Sequence, residues 1–418
     1  MEAPYLSVAD AVATITAHLQ PIAEAVWRPL SQLAGATLAR PVSAVRPLPP
    51  FDRAAMDGYA LRSQDLPGRL RVVGTARAGG RVPFRVGAGE AARILTGAPL
   101  PPGADTVVEQ EAVARESEWV VLDRAYPPGR NIMVRGGEAA AGAVVLEAGQ
   151  RLTPLEVGLL AGLGVSGAWV VRPPRVLLAV SGDEAVMPGQ PLRPGQIWDS
   201  NGPLLCAWLK ALGAEVAGPV PLRDQPTAVR RFFRHNDLGP FDLIVTTGGV
   251  SVGDRDYIIQ FLKASAELWF WRLDMHPGKA MAAAGVAGKP VLALSGNPGA
   301  ALMGWHLVVV PVLAHLMGGT WQPRRLVGQL ARPYPKPTRE TRYLRAQLTS
   351  DAEGRLWVDW ELDQGSDVLS SWALADGLAV IPRHSPPLPR EHPVEVWLLP
   401  HLGRANYAWW GRGSGQKF

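Results

Sequence analysis

Three glycine-bearing turns hold the residues best suited to chemistry: Ser181-Gly182-Asp183-Glu184, Gly248-Gly249-Val250-Ser251-Val252-Gly253 and Ser295-Gly296-Asn297-Pro298-Gly299. Glycine lets a backbone approach an anion closely, and amides at a turn or a helix start point at phosphate. One such turn is ordinary punctuation between strand and helix, whereas three in one segment predict a phosphorylated ligand. Asp183, Glu184, Asp254 and Asp256 lie in or beside the same turns. Carboxylates next to phosphate predict a hard cation between them, and Mg2+ prefers oxygen ligands and bridges phosphates. The competing reading of Asp254 and Asp256 is helix capping ahead of Tyr257. Arg272 to Lys279 forms a loop whose cations suit an oxyanion or a solvated charge pair, and six Arg with Lys336 between Arg324 and Arg345, against Glu340, suggest half of an anion-binding wall.

The elements that must position these turns are legible from pattern. RVLLAVSG, AEVAGPVPL, FDLIVTTGG and KPVLALSG are short, near-continuous apolar runs, as expected for strands covered on both faces. Helical segments separate them: Gly202–Leu212, with Ser200 or Asn201 as cap and Gly213 as stop, then Thr227–His235 and Ala300–Met317. Alternating strand and helix predicts a doubly wound parallel α/β sheet over 174–323, with strand-end turns lining one crevice. Residues 46–146 read as a β-rich domain and 324–402 as a small β domain. Helical text in 1–45 and 147–173 predicts a discontinuous helical domain, and 403–418 lacks periodicity. Gly162 to Gly167 matches GxGxxG, but a helix precedes it and a strand follows, so it reads as a helix stop.

Composition narrows the classes. With 47% hydrophobic and 19% charged residues the 418-residue chain is a folded, multidomain protein, and a net charge of +5 is too small to predict a nucleic-acid partner. The single cysteine, Cys206, excludes an internal disulfide framework and a multi-thiolate metal site; on its apolar helix it reads as core. No basic n-region and apolar run open the sequence, which predicts a cytoplasmic protein. Pro290 to Trp321 contains no Asp, Glu, Lys or Arg, yet its internal turn and its His306, Pro311 and His315 argue for a buried helix rather than a membrane span. Trp269, Trp271, Trp357 and Trp360 read as packing.

PPFDRAAMDGYA, ILTGAPLPPGADTVVEQE, GRNIMVRGGE, SGDE with GQIWDSNGPLL, TTGGVSVGDRD, PGK and SGNP occur in an order and spacing that resemble the MoeA family of molybdopterin molybdenumtransferases, also found as the E domain of gephyrin. The likeness spans roughly residues 5 to 400. It implies a four-domain homodimer with an α/β domain like that of the MogA adenylyltransferase and a C-terminal small β-barrel. The implied reaction inserts molybdate into adenylylated molybdopterin and releases AMP with the help of Mg2+. The resemblance further implies transient contacts with the adenylyltransferase and with molybdoenzymes, and neither nucleic acid nor membrane as partner. Carried over residue by residue, Asp256 and Glu184 match acidic positions for hydrolysis or its metal, and Asp224 matches a further acidic position. Ser251, Lys279, Arg345 and Ser366 match positions for molybdate. Asp57 and Thr96 match functional positions on the β-rich domain. Ser181, Gly182, Asp183, Gly248, Gly249, Gly253, Gly296, Asn297 and Pro298 supply the remaining ligand contacts. The chain departs from the family at His276, where a Lys is expected, at Ser295, where Pro is usual, at Ala280, at Ala54 or Ala55, and at Gly137 and Glu138. His276 has a reference pKa of about 6.5 and is only partly charged at neutral pH unless an anion raises it. Two other readings stay open: the adenylyltransferase of the preceding step, disfavoured because GGVSVG replaces a GGTG-type turn, and a non-catalytic paralogue that binds the pterin nucleotide or an oxyanion as carrier or scaffold.

Overall fold

The computed structural model describes residues 5–235 and 238–399. These divide into two compact units, one comprising 27–34 with 38–170, the other comprising the described residues of 5–26, 35–37 and 171–399. The tail at 403–418 lies outside the described residues.

In the smaller unit, short extended runs pair as the alternating text predicts. Its six-stranded sheet runs Thr106–Glu109, Gly58–Leu61, Glu90–Ile94, Gly68–Ala76, Trp119–Leu122 and Ala114–Glu116. Gly58 is obligatory there, because a Cβ would fall 2.0 Å from the Val108 carbonyl oxygen of the neighbouring strand. The helix Pro154–Gly162 starts at a capping box between Thr153 and Glu156. It ends where Gly164 turns to a φ of +74°, ahead of the strand Gly167–Val171, so the glycine-rich string is a helix stop as expected.

The larger unit is built on a second six-stranded sheet, in the order Glu215–Leu222, Arg175–Ser181, Leu243–Thr247, Lys289–Leu294, Ala282–Val286, Glu267–Trp271. The first four strands are parallel, and the last two, not anticipated from the sequence, run antiparallel. Strand alternation sends Val176, Leu178, Leu243, Val245, Leu292 and Leu294 to one face, packed with Asn201–Ala211 and the segment 298–316. Leu177, Ala179, Ile244, Val291 and Ala293 go to the other, under the helices Pro226–His235 and Tyr257–Ser265. The sheet is therefore doubly wound. The opening helix, Val8–Ala17, buries Val8, Ala11 and Ile15 in the first of these cores. This departs from the expected discontinuous helical domain: the apolar face of the helix completes the α/β core, and only 27–34 and 38–45 group with 147–170.

The apolar stretch Pro298–Leu316 is a 19-residue helix, long enough to span a bilayer by length alone, and most of it is buried inside the protein. A π-turn at Trp305–Val309 precedes Pro311. Proline lacks an N–H and crowds the carbonyl four residues back, and the wider turn absorbs that misfit. Downstream, Arg325–Leu330, Leu356–Asp359, Arg342–Ser350, Gly377–Ile381 and Pro393–Leu398 close into a barrel around Leu330, Leu344, Val358, Ala379, Ile381 and Val396.

Candidate functional site

Register explains why the three turns meet. Val180 pairs with Thr247, Thr247 with Leu294, and Ser181 with Leu222, so the residues that follow emerge side by side at the carboxyl edge of the sheet. The Gly248 N–H donates to the Leu294 carbonyl at 3.0 Å. Gly248 adopts a φ of +89°, and a Cβ there would come within 2.4 Å of the Ser181 carbonyl oxygen, so the first two turns touch only because this residue is glycine. Together the turns line a cavity of about 340 Å³ that includes Ser181, Gly182, Glu184, Asp224, Gly248, Gly249, Ser251, Gly253, Asp256, Gly296 and Asn297. Ser295 of the third turn lines it as well, and so does Arg255, which the sequence did not single out.

Asp256 and Asp224 are already committed to the turns around them. Asp256 stands at the start of Tyr257–Ser265, but its Oδ2 accepts the Gly253 N–H at 2.6 Å rather than a helix N–H. Asp224 accepts the Ser181 hydroxyl at 2.6 Å and the Asp183 N–H at 3.4 Å, so it braces the first turn instead of capping a helix. Glu184 is exposed at the rim. Among the described residues no group of three or more His, Cys, Asp or Glu is arranged to hold a metal. Glu184, Asp224 and Asp256 thus share one cavity without forming a preassembled ligand cluster.

Two residues not assigned to the site in the sequence fix the turns. Asn201 donates from Nδ2 to Thr247 Oγ1 at 2.9 Å and to the Gly296 carbonyl at 2.7 Å, while Thr247 donates to the Ser295 carbonyl at 2.7 Å. Asn201 was expected as a helix cap, yet the bond near the start of that helix comes from Asp199, whose Oδ1 accepts the Gly202 N–H at 2.9 Å. Trp271, read as packing, donates from Nε1 to the Val250 carbonyl at 3.1 Å and so holds the second turn.

The other expected contacts gather at the start of Pro298–Gly304. Pro298 occupies the first helical position, its usual place. Asn297 Nδ2 donates to Ser366 Oγ at 3.0 Å, and the Ala300 N–H donates to the Ser366 carbonyl at 3.1 Å. The loop of His276 and Lys279 packs behind the same helix, since a Cβ on Gly278 would lie 3.2 Å from the Ala300 carbonyl oxygen. Lys279 Nζ sits 4.3 Å from the centroid of Tyr5. His276 Nδ1 is 3.8 Å from Glu340, but burial first, then the charges of Arg342 and Lys279, push its pKa below the ordinary histidine value.

Arg345 departs from its expected place as an oxyanion contact. It is fully buried, donating to the carbonyls of Gly365 at 3.0 Å and Val368 at 3.3 Å, and burial lowers its pKa to about 10. It therefore acts on the loop that carries Ser366. Nor does the basic stretch make a single wall. Barrel closure sends Arg325 toward Glu395 and Arg332 toward Asp359 and Glu361, leaving Arg342 beside His276. In the smaller unit Asp57 Oδ1 accepts both the N–H and the hydroxyl of Thr96 at 2.7 Å, and those bonds lower its pKa. The two residues expected at functional positions of the β-rich domain are thus in direct contact. Gly136 turns with a φ of +72° ahead of Gly137 and Glu138.

Comparison with known proteins decides the family. Residues 6–164 match the MoeA N-terminal region (domains I and II), 178–315 a probable molybdopterin binding domain, and 327–399 the MoeA C-terminal region (domain IV). The chain belongs to the MoeA family. It is 32% identical over 370 residues to a molybdopterin molybdenumtransferase of Staphylococcus aureus, covering 86% of this chain and 88% of that one. It is also 32% identical over 410 residues to molybdopterin molybdenumtransferase 2 of Mycobacterium tuberculosis, covering 92% and 98%. The MoeA protein of Pyrococcus horikoshii OT3 superposes with a TM-score of 0.80 at 25% identity, over 95% of this chain and all of that one. Membership of the MoeA family places the chain in molybdenum cofactor biosynthesis.

Proposed function

We propose that this MoeA protein takes adenylylated molybdopterin and molybdate as substrates, inserts the metal at the dithiolene and releases AMP. The observation that carries the reading is the meeting of three amide-rich turns and three carboxylates around one cavity at the sheet edge. Amides of the turns grip the pyrophosphate. Asp256, held in place by Gly253, is the residue for the hydrolytic step, in which water adds to phosphorus and the anhydride P–O bond breaks to leave AMP. Mg2+ fits this donor set, because that ion needs only one or two carboxylates when substrate phosphates supply the rest. Glu184 and Asp256 would hold it, with Asp224 steering the first turn, and when bound it would offset charge on the anhydride. Ser251, Ser366 and Lys279 offer hydroxyls and a cation to a tetrahedral dianion such as molybdate, with His276 beside them. Arg345 supports Ser366 from beneath. The reading includes a homodimer working in the cytoplasm.

The test incubates purified protein with adenylylated molybdopterin, Mg2+ and molybdate and follows AMP release. Asp256→Asn should keep the nucleotide while losing about 100-fold or more in release rate. Lys279→Ala should raise the molybdate requirement. Binding without AMP release in the unaltered protein would favour a carrier, and unaltered kinetics in both variants would remove these assignments.

A further inference from the structure

Lys279, the cation assigned to the oxyanion, is met by the first described residues of the chain. Ser7 caps the helix Val8–Ala17, whose buried face fixes it in the α/β core, and the two residues ahead of the cap lie against the Lys279 loop. Leu6 forms a parallel bridge with Leu273, and its carbonyl accepts the Asp274 N–H at 2.8 Å. The Tyr5 side chain is thereby held between two cations. Its hydroxyl accepts from Arg272 Nη1 at 3.2 Å, and Lys279 Nζ lies 4.3 Å from its ring centroid. The loop is also closed at its base, where the Leu273 N–H donates to the Lys279 carbonyl at 3.0 Å and the Arg272 N–H to the Met281 carbonyl at 2.8 Å. Those bonds fix the backbone of Lys279 but do nothing to hold its long, flexible stem. Nor do nearby acids hold it. Asp274 stands 3.6 Å from Arg383 and Glu340 3.8 Å from His276, and among the described residues no carboxylate pairs with Lys279.

We propose that Tyr5 is a positioning residue for the oxyanion step: its ring holds the Lys279 ammonium in place and leaves the charge available to an incoming dianion. A carboxylate at the same spot would hold the ammonium but cancel its charge. An aromatic face attracts a cation through its quadrupole and carries no net charge of its own. The inference rests on the reading of Lys279 as a molybdate contact and adds to it a residue outside every motif that carries the family likeness. It also assigns the effect to the ring rather than to the hydroxyl, whose bond goes to Arg272.

The experiment varies molybdate in the AMP-release assay for the unaltered full chain, Tyr5→Leu and Tyr5→Phe. Tyr5→Leu should raise the KM for molybdate about three- to tenfold, as expected for losing a half-buried contact between ring and cation, with kcat and AMP affinity within about twofold. Tyr5→Phe keeps the ring and loses only the bond from Arg272, so its KM should stay within about twofold of the unaltered protein. A second readout needs no turnover. In protein carrying isotope-labelled lysine, the ε-methylene NMR signal of Lys279, identified by its loss in Lys279→Arg, should be shifted upfield by the ring in the unaltered protein and in Tyr5→Phe. It should return toward the position of free lysine in Tyr5→Leu. An unaltered KM in Tyr5→Leu, equal losses in both variants, or a lysine signal indifferent to the ring would overturn the assignment. So would a parallel loss of AMP affinity, which marks a general disturbance of the domain. If Lys279→Ala leaves the KM for molybdate unaltered while the contrast in signal holds, the oxyanion reading falls and the contact between Tyr5 and Lys279 stands.

Discussion

Asn201→Ala tests whether the glycine turns are held together by one side chain. The substitution removes two donated bonds, at 2.9 and 2.7 Å. Thr247 still donates to Ser295, so its hydroxyl loses only an accepted bond. The Gly296 carbonyl loses a partner but sits in an exposed turn where water can replace it. Each bond is worth about 1 kcal/mol net, and somewhat more where the abandoned group stays dry. Against this, Asn201 Oδ1 is buried with no partner in the native protein, and removing it recovers part of that penalty, about 1 kcal/mol. The balance is a destabilisation of about 1–2 kcal/mol. Urea unfolding followed by tryptophan fluorescence should show it, and AMP affinity should fall by up to about tenfold as the turns uncouple. Asn201→Asp should cost more, because it sets a carboxylate oxygen against the Gly296 carbonyl. If alanine leaves stability unaltered or raises it, or aspartate is tolerated as well as asparagine, the two donors do not outweigh the stranded acceptor and the reasoning fails.

On the proposed reading, His276 should make the molybdate requirement depend on pH. Its folded pKa lies below the ordinary value, so the folded protein binds this proton less readily than the unfolded chain. The corresponding stability is present above about pH 6.5 and is lost as pH falls toward the folded pKa. A bound dianion reverses the preference, so molybdate affinity should improve as pH falls from about 7 to about 5.5. His276→Lys should flatten that profile; an equally steep profile in the variant would exclude His276 as its source. Gly299→Ala places a Cβ 2.8 Å from the Ser366 carbonyl and 3.0 Å from Arg345 Nη1. It should shift the Ser366 loop and raise the KM for molybdate several-fold with little change in AMP affinity. Parallel changes in both would show that the loop serves the whole site.

Those tests concern residues that the sequence showed unequally. The parallel strands and the three turns were legible because near-continuous valine, leucine and isoleucine runs ending in glycine have few other meanings. Their convergence followed from the rule that strand ends share a crevice. Glu267–Trp271 and Ala282–Val286 were missed, since Trp-rich and Ala-rich runs carry no clear period and an antiparallel edge is not implied by a βα alternation. The opening helix was seen, but an amphipathic face names no partner, and the core it completes lies far along the chain. Asn201 and Trp271 were hidden for a related reason. Asn at a helix start reads as a local cap and Trp as filler, while their bonds cross to residues 46, 95 and 21 positions away. Arg345 was misplaced because motif position specifies a residue type and not the depth at which barrel closure buries it.

The helix from Pro298 to Leu316 joins two tasks usually kept on separate elements. Its first turn presents Asn297 to Ser366, and the rest of its length is the chief apolar filling of the α/β domain. Ligand grip and core cohesion are thus mechanically in series on one rod. Softening anywhere along it, at the widened turn before Pro311 or at Met303 where the Lys279 loop leans, should then reach the end at which the proposed reading seats the oxyanion. On heating, this enzyme should lose its hold on substrate slightly before the sheet itself melts.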